Sequence, residues 1–241
     1  MSWIGYGCGT PGHAGKGVVS LCLSDYEPPR GYAAYFNVEP GFELVCRSTH
    51  GYQKHVDLYT YKTSGYLMTS AADFRPGKPG YQENPLQLTF TPTAQLWISH
   101  PGERALYGKG RPSYWAGNGT LPRVNQYKGF ATVFYDIAPE HPVDFTHLYL
   151  PTMEFYLCRV QGPWVFAQEG DAYCAVYCSA GLTAQRFGPN AEREFIAPGR
   201  RCVWLVRAAQ TDEFPSFAAF ITAMLAAPLE VEIGRASCRE R

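Results

Sequence analysis

The chain has 241 residues, with 21 Lys plus Arg balancing 21 Asp plus Glu, no formal net charge, and 15% aromatic residues led by 17 tyrosines. No basic stripe is available to neutralise phosphates, which argues against nucleic acid as the main partner. No apolar run approaches the ~20 residues that a membrane helix requires, which argues against a membrane partner, and the opening MSWIGYGCGTPGHAG lacks the basic and apolar regions of a signal peptide.

Strand signals dominate from the beginning. GVVSLCLS (17–24), GYAAYFN (31–37) and FELVCRS (42–48) read as three strands, being short and rich in apolar or aromatic residues. In HVDLYTY (55–61), alternation sets Val56, Leu58 and Thr60 on one face, expected to be core. It sets His55, Asp57, Tyr59 and Tyr61 on the other, expected to be a solvent face with a His–Asp hydrogen bond. RPGKPGYQENP (75–85) reads as a long loop, and QLWISH (95–100) as a strand. The stretch from Pro101 to Lys128 exceeds an ordinary hairpin connection, and loops of that length are usually functional or disordered. Its Trp and Tyr content argues against disorder.

FATVFYD (130–136), WVFAQ (164–168), AYCAVYC (172–178) and RCVWLVRA (201–208) continue the pattern. One segment reads as a helix, TDEFPSFAAFITAMLAA (211–227). Thr211 is its expected N-cap, Pro215 falls in its first turn and Pro228 ends it. Its apolar stripe is expected to cover a sheet. The fold class that follows is all-β, an antiparallel sandwich or supersandwich of stacked sheets with one C-terminal helix. EIGRASCRER (232–241) matches a translated sequencing adapter and reads as a non-native tail. Residues 1–231 then read as a single β-rich domain, a fragment of a longer protein. Outside that tail, Cys8, Cys22, Cys46, Cys158, Cys174, Cys178 and Cys202 form no CxxC pair and read mostly as buried small hydrophobes.

Chemistry-bearing residues concentrate in two places. GRPSYWAGNG (110–119) packs aromatic and polar side chains between glycines. Sugars are recognised by rings stacking on their C–H faces and by donors to their hydroxyls, and a cleft mixes apolar walls with a few placed polar groups. Tyr114 and Trp115 are the candidate platform, with Arg111, Asn118, Arg123 and Gln126 as candidate donors. Trp115 as an anchor that packs the loop down is the competing reading. In FTHLYLP, His147 and Tyr149 share a face by alternation and are candidate proton-moving groups. His147 as a cap on a neighbouring strand is the alternative. Glu103 and Glu154 are single acids, and neither a phosphate-binding loop nor a GxSxG nucleophile elbow is present.

The order HVDLYTY…GYLMTSAADFRPG resembles the β-sheet region of heparinase II/III-like polysaccharide lyases, in which a His-x-Asp strand is followed by a glycine turn, a second strand and an Asp near Pro-Gly. The longer pattern SAADFRPGKPGYQ, ISHPGE, RPSYWAGNGTLPRVNQY and DFTHLYLP is similar to the C-terminal part of large bacterial proteins related to them, over roughly residues 50 to 180. The resemblance implies a polysaccharide or oligosaccharide partner and an upstream helical toroid, within the same chain, that carries most catalytic residues. Only one helix is read here, so catalysis by this fragment alone is not expected. The resemblance also implies a structural zinc held by His55, Asp73 and His100, whose imidazole nitrogens and carboxylate oxygen are suitable ligands. Elimination across a uronic-acid linkage is the implied chemistry of the parent protein, with His147 or Tyr149 near the C5 proton.

Overall fold

Alternating apolar and polar residues set the strands of this chain, and a computed structural model describes residues 27, 29–31, 42–50, 54–72 and 74–229. In chain order the strands are β1 (Phe42–His50), β2 (Lys54–Lys62), β3 (Leu67–Ala72), β4 (Leu86–Thr89), β5 (Gln95–Ser99), β6 (Arg123–Tyr127) and β7 (Phe130–Asp136). There follow β8 (Phe145–Tyr149), β9 (Leu157–Gln161), β10 (Trp164–Glu169), β11 (Ala172–Cys178), β12 (Thr183–Ala184), β13 (Glu194–Pro198) and β14 (Arg201–Gln210). Helix α1 (Phe217–Ala226) comes last.

These strands form two sheets, eight strands in the order β1-β2-β3-β4-β5-β8-β13-β12 and six in the order β6-β7-β14-β11-β10-β9. Every pairing is antiparallel. The protein is therefore an all-β sandwich with a C-terminal helix. The strands expected over 17–24 and 31–37 lie, Gly31 aside, outside the described residues, as does the tail at 232–241.

Between the sheets, Met68, Leu88, Leu96, Ile98 and Leu148 of the larger sheet meet Val133, Val165, Val176, Trp204 and Val206 of the smaller. Cys174, Cys178 and Cys202 are buried in the same core, and Cys46 and Cys158 are partly covered. The indole N–H of Trp204 donates to Thr146 Oγ1 at 3.0 Å, so even this central ring leaves no orphan donor.

Three local expectations need correction. The helix begins six residues after Thr211, because Phe214 precedes Pro215 and is biased away from helical dihedrals. Residues 211–214 instead form a turn in which Phe214 N donates to the Gln210 carbonyl. Ser216 is the true N-cap, extended at φ −160° and ψ 160°, its Oγ accepting from Ala219 N at 3.1 Å. Pro215 thus lies outside the helix, whereas Pro228 follows its end as expected. Phe217, Phe220 and Ile221 then pack on Trp164, Phe166 and Tyr173, covering the outer face of the six-stranded sheet. Full burial of each such side chain stabilises by about 1.5–3 kcal/mol.

The second correction concerns β2. Tyr61 lies opposite Met68, a fully buried residue of the inter-sheet core, so the face bearing Tyr59 and Tyr61 points inward. Val56, Leu58 and Thr60 face outward, and Val56 is buried only because Phe74 and Leu121 fold over it. Asp57 pairs with Arg47 across the strands at 2.7 and 3.0 Å, and that guanidinium holds its carboxyl below the usual range. The third concerns 101–128, whose end is strand rather than loop. Val124 and Gln126 turn inward in β6, which pairs with β7.

Candidate functional site

The outer face of the eight-stranded sheet carries the polar and aromatic residues singled out in the sequence. Residues directly opposite in an antiparallel pair share a face. One cross-strand row therefore reads Thr69, Gln87, Trp97, Tyr149, Glu194, and the next reads Ser99, His147, Ile196. Two loops cover one half of this face. Residues 74–85 and 101–122 are tied together by a bridge between Gly80 and Asn118.

Asn118 fastens this roof to the sheets. Its Oδ1 accepts from His100 N at 2.9 Å and from Tyr135 OH at 2.8 Å, and its Nδ2 donates to the Glu83 carbonyl at 2.8 Å. Fully buried, Asn118 is a structural pin rather than a donor to a bound sugar.

Beneath the roof, one carboxylate gathers three donors. Glu194, 2% exposed, accepts from Tyr114 OH at 2.7 Å and from His147 Nδ1 at 2.7 Å through Oε1, and from Asn190 Nδ2 at 2.9 Å through Oε2. Burial raises its pKa, but hydrogen bonds from His147, Tyr114 and Asn190 outweigh that and leave it below the ordinary carboxylate value. Burial pushes the His147 imidazole down, against Glu194 and the Tyr114 carbonyl, which favour its protonated form. Trp115 lies flat on that ring, centroids 4.2 Å apart and planes 10° from parallel, and its Nε1 donates to Asn190 Oδ1 at 3.3 Å.

Among the described residues the other half of the face is more open. Trp97 and Tyr149 stack at 4.0 Å and 13°, and the edge of Trp115 abuts Tyr149 at 5.6 Å. Beside them Gln87 Nε2 donates to Gln95 Oε1 at 2.7 Å, and Gln95 Nε2 donates to the Pro92 carbonyl at 3.0 Å. Thr69, Gln87, Thr89, Gln95, Trp97 and Tyr149 are all half-buried, as a solvated floor requires.

Of the residues proposed from sequence, the structure brings together Tyr114, Trp115, His147 and Tyr149. It does not bring in the rest. Arg111 is exposed and donates to the neighbouring Gly110 carbonyl at 2.8 Å. Arg123 and Gln126 lie on β6, in the other sheet, and Gln126 turns inward to donate to the Met68 and Lys128 carbonyls. His147 has no path to a polymer's C5 proton in this arrangement, being fully buried under Trp115.

The two histidines of the zinc set do not come together either. His55 and the end of β5 at His100 are separated by β3 and β4, roughly 14 Å in the hydrogen-bonding direction alone, too far for two imidazoles to share one ion. Asp73 lies outside the described residues. His100 is buried, its Nε2 3.1 Å from the Val143 carbonyl and its ring 4.4 Å from His141, and burial lowers its pKa to about 3. Among the described residues no group of three or more His, Cys, Asp or Glu side chains is placed to hold a metal ion.

Sequence reasoning passed over Trp97, Ser99, Asn190 and Glu194. The first two were legible, since alternation in QLWISH puts Gln95, Trp97 and Ser99 on one face. The last two carry no sequence signal, because only the fold brings them beneath the 101–122 loop. Comparison of the chain with protein-family models, with curated proteins and with solved structures yields no match.

Proposed function

We propose that this β-sandwich binds a polysaccharide or oligosaccharide on the open half of its eight-stranded sheet, as part of a larger carbohydrate-active protein. The observation that carries the reading is the Trp97–Tyr149 stack, a rigid ring surface bordered by Gln87 and Gln95. A ring held by a second ring loses little freedom when a ligand docks, so its contact area is gained at low entropic cost. The amides on the same face supply donors and acceptors for hydroxyls. The floor across β4, β5 and β8 is roughly 10 Å wide, from the spacing of its strands.

Glycan-array retention tests this directly. The wild type should be retained, and Trp97→Ala should lose at least tenfold in affinity with an unchanged fold. A wild type that retains no glycan, or a variant that binds equally well, overturns the reading. The lyase chemistry implied by the sequence resemblance is assigned to the parent protein, with its reacting groups upstream in a helical domain. On uronate polymers the full-length parent should then raise ultraviolet absorbance through an unsaturated product. Products without a new double bond rule the elimination out.

A further inference from the structure

We propose, resting on the glycan-binding reading above, that the more open half of the eight-stranded sheet selects uncharged glycan chains over acidic ones and takes them across its strands. Register lays out the surface that does so. Residues directly opposite in antiparallel pairs share a face, and one row reads Leu44, Thr60, Thr69, Gln87, Trp97, Tyr149, from β1 to β8. The neighbouring row reads Lys62, Leu67, Thr89, Gln95, from β2 to β5. From Thr60 to Tyr149 the first row crosses five strands, roughly 19 Å at the usual strand spacing.

That row carries no charge, and its continuation on β13 is Glu194, an anion. Lys62 is the cation of the second row. It stands three strands from Trp97, roughly 14 Å, where salt at physiological strength screens an exposed charge. At the Tyr149 end, Arg193 and Glu154 act on the hydroxyl with opposite signs.

The amides are oriented, and this decides what they recognise. The Pro92 carbonyl only accepts, so Gln95 turns Nε2 to it, at 3.0 Å, and Oε1 to Gln87. Gln87 Nε2 donates to Gln95 Oε1 at 2.7 Å and to Thr89 Oγ1 at 3.2 Å, which uses both of its hydrogens. Gln87 Oε1 is left as an acceptor without a partner among the described residues, and the hydroxyls of Thr60 and Thr69 are uncommitted beside it. A sugar hydroxyl can donate to that oxygen, and it can exchange hydrogen bonds with a threonine in either direction. A carboxylate or sulfate only accepts. It is repelled at Gln87 Oε1 and loses its hydration with no cation to replace it. Arg, the bidentate partner that such groups commonly find, is missing from both rows. An acidic unit on which the parent protein acts is therefore held upstream, while this row holds uncharged units of a chain.

The glycan array separates this inference from the reading beneath it. Chains retained by the wild type should be neutral, with uronate and sulfated chains absent. A retained neutral hexamer should bind at least tenfold tighter than the trimer of the same sugar, because the trimer leaves part of the row uncovered. In calorimetric titration its Kd should change less than twofold between low and physiological salt. Thr69→Arg sets a cation mid-row without touching the amide network, and it should gain at least tenfold in affinity for a galacturonate hexamer. A retained set led by uronate or sulfated chains overturns the inference and leaves the glycan reading standing. So does a folded Thr69→Arg protein whose retained set matches that of the wild type. An array that retains nothing ends both. Dimerisation that depends on Trp97, seen in sedimentation of the glycan-free protein, also ends both, because the face then belongs to a second copy of the chain.

Discussion

Replacing Glu194 by alanine is the perturbation that loads most heavily on the roofed half of the sheet. The carboxylate is 2% exposed and accepts from His147, Tyr114 and Asn190. Removing one partner of a buried, hydrogen-bonded charge pair costs about 3–5 kcal/mol. Orphaning the Tyr114 hydroxyl and the Asn190 amide adds about 1–3 kcal/mol for each group that water does not reach. Because these groups share one acceptor, the contributions do not add fully, and a total of about 4–6 kcal/mol is expected. For a domain of this size that corresponds to a fall in Tm of roughly 10–20 °C.

Urea unfolding followed by tryptophan fluorescence measures the loss, with an unchanged slope showing that the same surface is exposed. Glu194→Gln separates charge from shape. Its amide keeps one acceptor oxygen but opposes a second N–H₂ to that of Asn190, so it should lose about 2 kcal/mol, less than alanine. A Glu194→Ala protein within 1 kcal/mol of wild type would refute the reasoning, since the carboxylate would then not be what holds the 101–122 loop to β13.

Further measurements test other parts of the fold. Burial lowers the pKa of His100 to about 3. The unfolded chain therefore takes up a proton near pH 6.5 that the folded one refuses, and acidification from pH 7.5 to 5.5 should remove about 1.4 kcal/mol of stability through this residue. His147, also lowered by burial, acts in the same direction. Unfolding curves at the two pH values that coincide would contradict both. Glu194, depressed by its donors, contributes stability present above the unfolded carboxylate pKa and lost as pH falls through its lower folded value. Gly117→Ala should lower the Tm, because Gly117 has φ 81° and a Cβ there would sit 2.1 Å from the Gly80 carbonyl oxygen, breaking the bridge between the roof loops. A cost of about 2–4 kcal/mol is expected, and an unchanged Tm would show that the roof is not seated this way. Phe220→Ala, at a fully buried site between α1 and the six-stranded sheet, should cost about 3–5 kcal/mol by the same denaturation assay.

Where alternation was unbroken and bounded by turn residues, the chain declared its strands closely: β7 and β11 run over the very residues that the pattern marked. Alternation also separated the two faces of β2, but hydropathy misjudged which faced the core. Tyrosine is amphipathic, and Tyr61 packs inward among Met68, Tyr66 and Phe90 while the smaller Val56 is sealed by a distant loop. The helix start was misread because Thr211, Asp212 and Glu213 imitate a capped first turn, and the Phe214–Pro215 step that forbids it acts through backbone sterics rather than composition. The site divides the same way. Trp115 and His147 were visible as residue types, whereas Glu194 carries no signal of its own in the sequence. It becomes a hub only through the pairing of β13 with β8 and the return of a loop from far earlier in the chain.

The contents of the roofed half bear on why it exists. Between the sheets the chain buries mostly apolar side chains, and under α1 it buries aromatics. Beneath the 101–122 loop it buries Ser99, His147 and Glu194 instead. Stability alone does not favour that choice, since an apolar set of similar volume in place of a buried charge pair is often neutral or stabilising. Ser99 Oγ and His147 Nε2 are left without hydrogen-bond partners there, as are Gln126 Oε1 and His100 Nδ1 elsewhere. The flat ring of Trp115 covers this set, and the Trp97–Tyr149 floor begins at its edge.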